Sequence, residues 1–481
     1  MAVLVGTLAT VLTVWSLHVH PRPTAIGLGL VIVIAFVVAS GRRLLSLPLS
    51  RALRLLALLV VLSALLGPAV ALPQARGAFA FRVLVALLIV GCLTWLVLEQ
   101  PRLRIAPLRL IALLAGWLAW LLVTLLWAPD KAAGFRYLAL VALMVVVLAA
   151  TAYWGTTRAR LRTLALSLGI VYALMALVAA VESALGVHLP GSAREGTRIA
   201  GVATAFFHNS NNLGAYLAIC MPFLLVGFSL TRRLGLKALA VLGLALGAYA
   251  LVHTGSRAAL VAIGFEMLLT VVVVFARGWV RHRRTGAIVA VILLAGLAFL
   301  AFNSSQSRLL SRFQLVNLGE QVEAGSGSGG TRVALLRAGW QVALDYDLAG
   351  VGPGNAENLV GQQPDRPGEQ TNLHNWWMEV FVDGGLPGFI FYCLFFAGLL
   401  VTLWRIGRDS EDPLLRYLGT ATAIAVAGYA IGSLGPSSAF SFSPMWVLFG
   451  LGLAVVLRAE RSEEEQLQRR GLTRSGSEAA A

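Results

Sequence analysis

The sequence predicts an all-α polytopic membrane protein, a helical bundle of about 12–14 transmembrane helices with one large loop outside the membrane. Hydrophobic residues make up 58% of the 481 residues and only 12% are charged, a composition typical of a multi-span membrane protein. Apolar runs of roughly 16 to 24 residues recur from end to end, long enough to cross a bilayer as helices. Because these runs do not alternate between apolar and polar residues, a transmembrane β-barrel is excluded.

Fourteen apolar runs are predicted as spans: residues 2–17, 25–40, 55–72, 79–98, 110–127, 137–154, 163–181, 213–230, 237–253, 258–276, 286–302, 388–404, 417–434 and 443–457. The first run lacks the charged start and the small-residue cleavage site of a signal peptide, so it is predicted to be a span or a re-entrant segment. The three cysteines all lie within apolar runs. Their odd number argues against a disulfide framework, and we expect them to be packing residues.

The formal net charge is +16, which in a soluble protein would raise nucleic acid as a partner. Here most basic residues fall in six short loops, around residues 42–54, 102–109, 158–162, 232–237, 277–284 and 405–416. The positive-inside rule places these loops in the cytoplasm, and no nucleic-acid partner is expected. Because successive loops alternate between the two sides of the membrane, residues 186–212 and 303–373 are predicted on the side opposite the cytoplasm.

The predicted organisation has four parts: transmembrane helices in residues 1–302, an outside loop in 303–387 with the candidate catalytic residue, further transmembrane helices in 388–457, and a solvated, partly disordered cytoplasmic tail in 458–481. Within the loop, the run A-G-S-G-S-G-G at 324–330 is predicted to be flexible, and residues 331–348 are predicted to form a helix. The turn-rich sequence G-V-G-P-G-N at 350–355 ends that helix. It follows no strand, so it is only weak evidence for phosphate binding.

The polar loop runs back into the membrane through residues 372–388, N-L-H-N-W-W-M-E-V-F-V-D-G-G-L-P-G. Asn372 is predicted to cap a short helix, with His374 in its first turn. Trp376 and Trp377 are expected at the membrane–water boundary, where tryptophan is favoured. The glycines and proline at 384–388 are predicted to break the helix before the next apolar run.

His374 has two possible roles. It is either an interfacial histidine satisfied by a backbone carbonyl, or a general base, because neutral imidazole can take a proton from a sugar hydroxyl near neutral pH. Arginine cannot act as a base. Asn375 and Glu379 lie one turn apart on an adjoining face and could orient the imidazole or the acceptor.

Several arginines do not belong to the six cytoplasmic loops and are predicted on the opposite side of the membrane: Arg136, Arg194, Arg198, Arg257, Arg332 and Arg337. Arg257 lies between two spans joined almost without a loop, where an unpaired charge is costly. It therefore needs an anionic partner, which is either Glu266 or a ligand phosphate. Arg194 and Arg337 are expected to be merely solvated.

A second polar segment starts at Arg198 and includes His208, Asn209 and Asn211 at the start of a span. These side chains either cap the helix and face solvent, or form a site for a sugar or a lipid head group. The outside loops contain no D-x-D pair and no His or Cys pair at ligand spacing, so no metal and no cofactor are predicted. Arginines would then neutralise a diphosphate leaving group.

These elements together resemble the O-antigen ligase family, within the larger group of O-antigen ligase and polymerase-like membrane proteins. The family's signature, H-N followed by nine residues and G-x-x-G, matches His374, Asn375 and the G-L-P-G at 385–388. The resemblance also includes R-x-x-G before N-x-N (Arg198, Gly201, Asn209 and Asn211), T-G-S-R ending at Arg257, and the helix with Arg332 before G-V-G-P-G. Ser210 stands where many relatives have proline, and the motifs cover about residues 195 to 435.

The resemblance implies a GT-C-like glycosyltransferase in the cell inner membrane with its site in a periplasmic loop. It would transfer O-antigen polysaccharide from undecaprenyl diphosphate to the lipid A-core acceptor, inverting the anomeric centre without a metal. His374 would be the base; Arg257, Arg332, Arg136 and Arg198 would bind the diphosphate. Alternatives are an O-antigen polymerase or a protein O-oligosaccharyltransferase of the same superfamily and, since buried acids such as Glu266 also mark ion pathways, a transporter or flippase for a lipid-linked sugar.

Overall fold

The computed structural model of the chain describes residues 49–67, 80–99, 108–188, 201–207, 209–276, 327–363, 371–436 and 440–478. The regular structure of these residues is entirely helical. The helices are α1 Leu49–Leu66, α2 Ala80–Glu99, α3 Leu108–Thr124, α4 Lys131–Trp154, α5 Arg158–Leu185, α6 Ser210–Leu230, α7 Leu234–Thr254, α8 Arg257–Ala276, α9 Gly327–Asp345, α10 Ala356–Val360, α11 Trp376–Asp409, α12 Pro413–Gly432 and α13 Ser443–Glu478.

Eight helices among the described residues are long and apolar enough to cross a membrane: α2, α4, α5, α6, α7, α11, α12 and the first part of α13. The predicted all-α polytopic membrane architecture is therefore confirmed. Of the fourteen predicted spans, 2–17, 25–40 and 286–302 lie outside the described residues, and each of the others overlaps a helix.

The chain divides into a small unit, to which residues 49–56 and 87–99 belong, and a main unit with the remaining described residues. In the small unit, the side chain of Leu53 packs directly on Gly91. The centre of the main unit is formed by α6, α12 and α13, the helices with the largest buried share. Helix α11 packs against α12 and α3, and α6 packs against α7, α8 and α12.

Small residues allow the central helices to approach closely, which is how packing stabilises helices in lipid. A Cβ atom on Gly419 of α12 would lie 2.8 Å from the backbone nitrogen of Gly407 of α11. Helices at the periphery of the main unit instead expose large apolar side chains. Helix α7 exposes Leu239, Val241 and Leu242 on one side, which is the face expected to meet lipid tails.

Two contacts each join segments that the predicted alternation places on the same side of the membrane. At one end Arg158, at the start of α5, forms an ion pair of 3.2 Å with Asp412, just before α12. At the other end the backbone nitrogen of Trp376 donates to the carbonyl of Ser433 (3.2 Å), which joins the start of α11 to the end of α12. The compartment that each end faces stays a prediction.

Two predictions about flexible segments are wrong. The tail was expected to be partly disordered after residue 457, but helix α13 continues to Glu478. Its Glu, Gln, Leu and Arg residues are good helix formers, and Arg458 pairs with Glu465 at 2.9 Å. Residues 327–330 of the predicted flexible run are the first residues of α9, because a packed helix extends its first turn at little cost.

Candidate active site

Helix α11 is bent at Gly385, which has φ 61° and ψ −173°. The helix break predicted from the glycines and proline at 384–388 is thus confirmed. Gly385 supplies a backbone conformation that L-residues rarely adopt, and Pro387 removes a backbone donor just beyond it. A short first half, residues 376–384, is therefore set apart from the long second half that crosses the membrane.

The loop between α9 and α10 closes on this bend through its backbone. The nitrogen of Gly352 donates to the carbonyl of Asp383 (3.0 Å), and the nitrogen of Leu386 donates to the carbonyl of Leu348 (2.8 Å). The loop can follow the bend because three of its glycines have positive φ: Gly350, Gly352 and Gly354. The G-V-G-P-G sequence is therefore a structural brace for the bend.

Asp383 anchors the brace, and sequence analysis did not single it out. Its carboxylate is 1% exposed and accepts hydrogen bonds from the backbone nitrogens of Gly354 (2.9 Å) and Ala356 (3.0 Å). These bonds satisfy backbone donors that would otherwise be buried without partners. An acidic residue inside an apolar segment is the signal that could have found it.

Two tryptophans from the α3 region support the same bend. The indole of Trp120 donates to the carbonyl of Gly384 at 2.7 Å, and the indole of Trp127 donates to the carbonyl of Gly350 at 2.7 Å. The bend and its brace are thereby fixed to the neighbouring apolar helix α3 and the turn that follows it. A side chain placed by the first half of α11 is held by rigid backbone rather than by a free loop.

His374 lies immediately before α11, not in its first turn. Its backbone is left-handed (φ 47°), and its nitrogen donates to the side chain of Asn372 at 2.8 Å. The helix is capped instead by Asn375, whose side chain accepts from the nitrogen of Met378 (3.2 Å). The prediction that Asn372 is the cap is therefore wrong: Asn372 forms the preceding Asx turn, a role that asparagine also favours.

The tight turn presents the imidazole of His374 at the edge of a packed surface. The adjacent Leu373 is buried, and its side chain lies against Gly339 of α9. Burial lowers the pKa of His374 from its usual value, and the positive charge of Arg332 lowers it further. Both effects favour the neutral form of the imidazole. Its ring makes no hydrogen bond to a backbone carbonyl of the described residues, so the purely structural role considered above is not seen.

Arg332, on α9, is the residue whose positive charge acts on His374. Burial lowers the pKa of Arg332, and the nearby charge of Arg257 at the start of α8 lowers it further. None of the carboxylates that the structure describes forms an ion pair with Arg332. The charge of Arg257 thus acts on Arg332 and that of Arg332 on His374, although the three lie on elements distant in sequence. These three residues are called the cationic cluster below.

Glu266 is not the partner of Arg257. It lies nine residues further along α8, roughly 13 Å along the helix axis, and is completely buried against Gly428 of α12. Neither of its carboxylate oxygens has a hydrogen-bond partner among the described residues.

The other predicted site residues have mixed positions. Arg136 is exposed and 4.0 Å from Asp130, whose backbone nitrogen binds the side chain of Asn355 beside the brace at 2.9 Å. Asn209 caps α6 by accepting from the nitrogen of Asn212 at 2.8 Å, and Asn211 is half-buried in its first turn. Arg198, Arg194 and His208 lie outside the described residues, and Arg337 is exposed, as expected.

The interfacial placement of Trp376 is wrong, because the side chain is 1% exposed. Its indole donates to the hydroxyl of Tyr392 at 2.6 Å, and its ring packs edge-on against Phe440 (4.4 Å between centroids). Trp377 is half-buried and donates to the carbonyl of Ala430 at 2.8 Å. Trp377 thereby joins the first half of α11 to α12, and Trp376 packs it against the second half of α11 and Phe440.

Glu379 was predicted to orient the imidazole or the acceptor, together with Asn375. Its carboxylate is buried and accepts a hydrogen bond from the hydroxyl of Tyr137 on α4 at 3.1 Å, while the side chain of Asn375 caps α11. No three His, Cys, Asp or Glu side chains of the described part of the chain gather as metal ligands, and the metal-free chemistry stays a prediction.

The fold and the site define a class: a multi-pass helical membrane protein with a neutral histidine and two arginines clustered beside a braced helix bend. Residues 242–393, which include all three of these side chains, match the family model described as O-Antigen ligase. A curated relative, the teichuronic acid biosynthesis protein TuaE of Bacillus subtilis (strain 168), is 25% identical over 379 residues, covering 74% of this chain and 73% of that protein. Both matches support a likeness to O-antigen ligase-like membrane proteins, and this likeness suggests a glycosyltransferase-type enzyme with lipid-linked polysaccharide substrates.

Proposed function

We propose that this protein is an O-antigen ligase. It transfers O-antigen polysaccharide from undecaprenyl diphosphate to the lipid A-core acceptor at the periplasmic face of the inner membrane. The observation that supports this best is the cluster of Arg257, Arg332 and His374, in which the charge of each arginine acts on its neighbour. Two fixed cations beside a neutral base suit a reaction that deprotonates a hydroxyl and expels a diphosphate.

His374 acts as the general base. Its neutral imidazole takes the proton from the acceptor hydroxyl as that oxygen attacks the anomeric carbon of the donor sugar. The bond between the anomeric carbon and the diphosphate oxygen breaks, and its electron pair leaves with the diphosphate. A single displacement of this kind inverts the anomeric centre.

Arg257 and Arg332 neutralise the charge that develops on the leaving diphosphate, since guanidinium groups form strong, paired hydrogen bonds to phosphate oxygens. Arg136 and Arg198 are proposed as further phosphate contacts, and Asn209, Asn211 and Asn375 as contacts to the sugars or head group. No metal or cofactor has a part in the reaction. A transfer assay that proceeds unchanged in EDTA supports this, and a strict requirement for added Mg²⁺ contradicts it.

The direct experiment uses the purified protein in detergent with lipid-linked O-antigen and lipid A-core. The wild type should form a covalent product, and His374→Ala should lower the rate by about 10² to 10⁴-fold, as expected for a lost general base. Arg337→Ala changes an exposed residue of the same helix as Arg332 and serves as the matched control with full activity. A fully active His374→Ala would rule out the base, and transport of the lipid-linked sugar without a product would indicate a flippase.

A second candidate is a polymerase or a protein O-oligosaccharyltransferase, with the same donor and base and a different acceptor. The relative TuaE is named for teichuronic acid biosynthesis, which supports testing an acceptor other than lipid A-core. The two candidates separate when lipid A-core and a second lipid-linked repeat compete in one reaction. Elongation of the lipid-linked chain, with lipid A-core untouched, would identify the polymerase.

A further inference from the structure

Helix α9 has an exposed apolar stripe between its buried side and its polar side. The buried side, with Leu335 and Val342 at 0% and 1% exposure, packs into the core that α9 shares with α11. The stripe consists of half-buried Leu336 and exposed Trp340 and Leu344, spaced four residues apart and so aligned along the helix. Trp340 is 50% and Leu344 is 44% exposed. The polar side consists of Arg337, Gln341 and Asp345.

One end of the stripe meets the cationic cluster. Arg332 lies four residues before Leu336, at the border between the stripe and the buried side of α9. From Arg332 to Leu344 the helix extends for roughly 18 Å. A ligand phosphate held by Arg332 would therefore have a continuous apolar surface beside it.

The middle of the stripe meets helix α11. The indole ring of Trp340 stacks on Phe381 (5.6 Å between centroids), which packs against Phe389 (5.5 Å). Beyond the bend, α11 exposes Leu386, Ile390 and Leu394, again at four-residue spacing. The stripe thus runs from the cationic cluster toward the exposed apolar surface of α11, which is expected to meet lipid tails.

We propose that this stripe binds the hydrocarbon tail of an amphiphile whose phosphate group lies at Arg332 and Arg257. This inference rests on the proposed function, in which the amphiphile is the lipid-linked donor. The chemistry of the surface matches such a ligand: cations at one end, exposed tryptophan and leucine along it, and the exposed apolar surface of α11 beside it. Tail contacts of this kind strengthen donor binding without touching the sugars.

The test compares two donors that differ only in tail length: the same glycan on the diphosphate of a full-length polyprenol and of a two-isoprene alcohol. Trp340→Ala and Leu344→Ala should lower kcat/KM about tenfold for the long donor and less than about twofold for the short one. Gln341→Ala, on the polar side of the same helix, is the matched control and should change neither value. Equal losses for both donors, or no loss for either, would overturn the proposal.

A second measurement needs no turnover. A photoreactive benzophenone side chain placed at position 340 should crosslink to polyprenyl diphosphate, whereas one at position 341 should not. If the wild type forms no product with either donor but the crosslink at 340 forms, the proposed reaction fails and the stripe stands. If products form and no crosslink is specific to position 340, the stripe proposal alone fails.

Discussion

The backbone of Gly350 lies against the backbone of Gly385 so closely that a Cβ atom on Gly350 would come within 2.6 Å of the nitrogen of Gly385. Both glycines also have positive φ, 93° and 61°. The contact joins the brace before α10 to the bend of α11, and the bend sets the position of the first half of α11 and of the histidine before it.

Gly385→Ala should therefore disrupt the site. The left-handed backbone alone costs a non-glycine residue about 1–3 kcal/mol, and the added methyl group would also overlap the backbone of Ala349 and Gly350. We expect a lower unfolding temperature in detergent and little or no transfer activity. Gly169→Ala in α5 is the control, because its methyl group would meet no atom of the other described elements within 4 Å. Equal behaviour of the two variants would argue against the brace.

Asp383→Ala should lower the stability of the protein, in contrast to His374→Ala, which should lower activity alone. It would leave the buried nitrogens of Gly354 and Ala356 without acceptors, at about 1–3 kcal/mol for each lost partner. We expect thermal unfolding at a lower temperature for Asp383→Ala, with part of the loss recovered in Asp383→Asn. His374→Ala should unfold near the wild-type temperature while losing activity. If the Asp383→Ala protein is as stable as the wild type, the anchoring role is wrong.

The pH dependence of the reaction should respond to Arg332. A histidine that acts as general base must be neutral, so activity falls as pH drops through the pKa of that histidine. The lowered pKa of His374 places this loss of activity below the usual range for histidine. Removing the charge in Arg332→Gln should raise that pKa and move the acid side of the kcat/KM profile to higher pH. Arg337→Gln should leave the profile in place. A profile that shifts to lower pH in Arg332→Gln would contradict the coupling.

The contact between Glu266 and Gly428 can be tested by a double-mutant cycle. A methyl group on Gly428 would overlap the carboxyl group of Glu266, so Gly428→Ala should lower the unfolding temperature. Shortening the neighbour in Glu266→Ala should restore much of that loss in the double variant, because the two changes share one space. A double variant no more stable than Gly428→Ala would show that the two side chains do not compete.

Much of the architecture could be predicted from composition and spacing alone. Span length and the absence of alternation predicted a helical bundle, and the glycines with Pro387 predicted the bend, because these features depend on the local chain. Local rules failed where two residues compete for one role. Asn372 and Asn375 are both good caps, and only the packing of Leu373 and Trp376 decides which one begins the helix.

The sequence by itself determined the class of protein, the helix bend, and the residue types available for chemistry: a histidine before α11 and arginines away from the basic loops. Only the tertiary structure decided which of these come together. It gathered Arg257, Arg332 and His374, separated Glu266 from Arg257, and made Asp383 the anchor of the brace. The reason is physical: pattern and propensity act over a few neighbouring residues, whereas these contacts join segments many tens of residues apart, whose approach depends on the packing of whole helices.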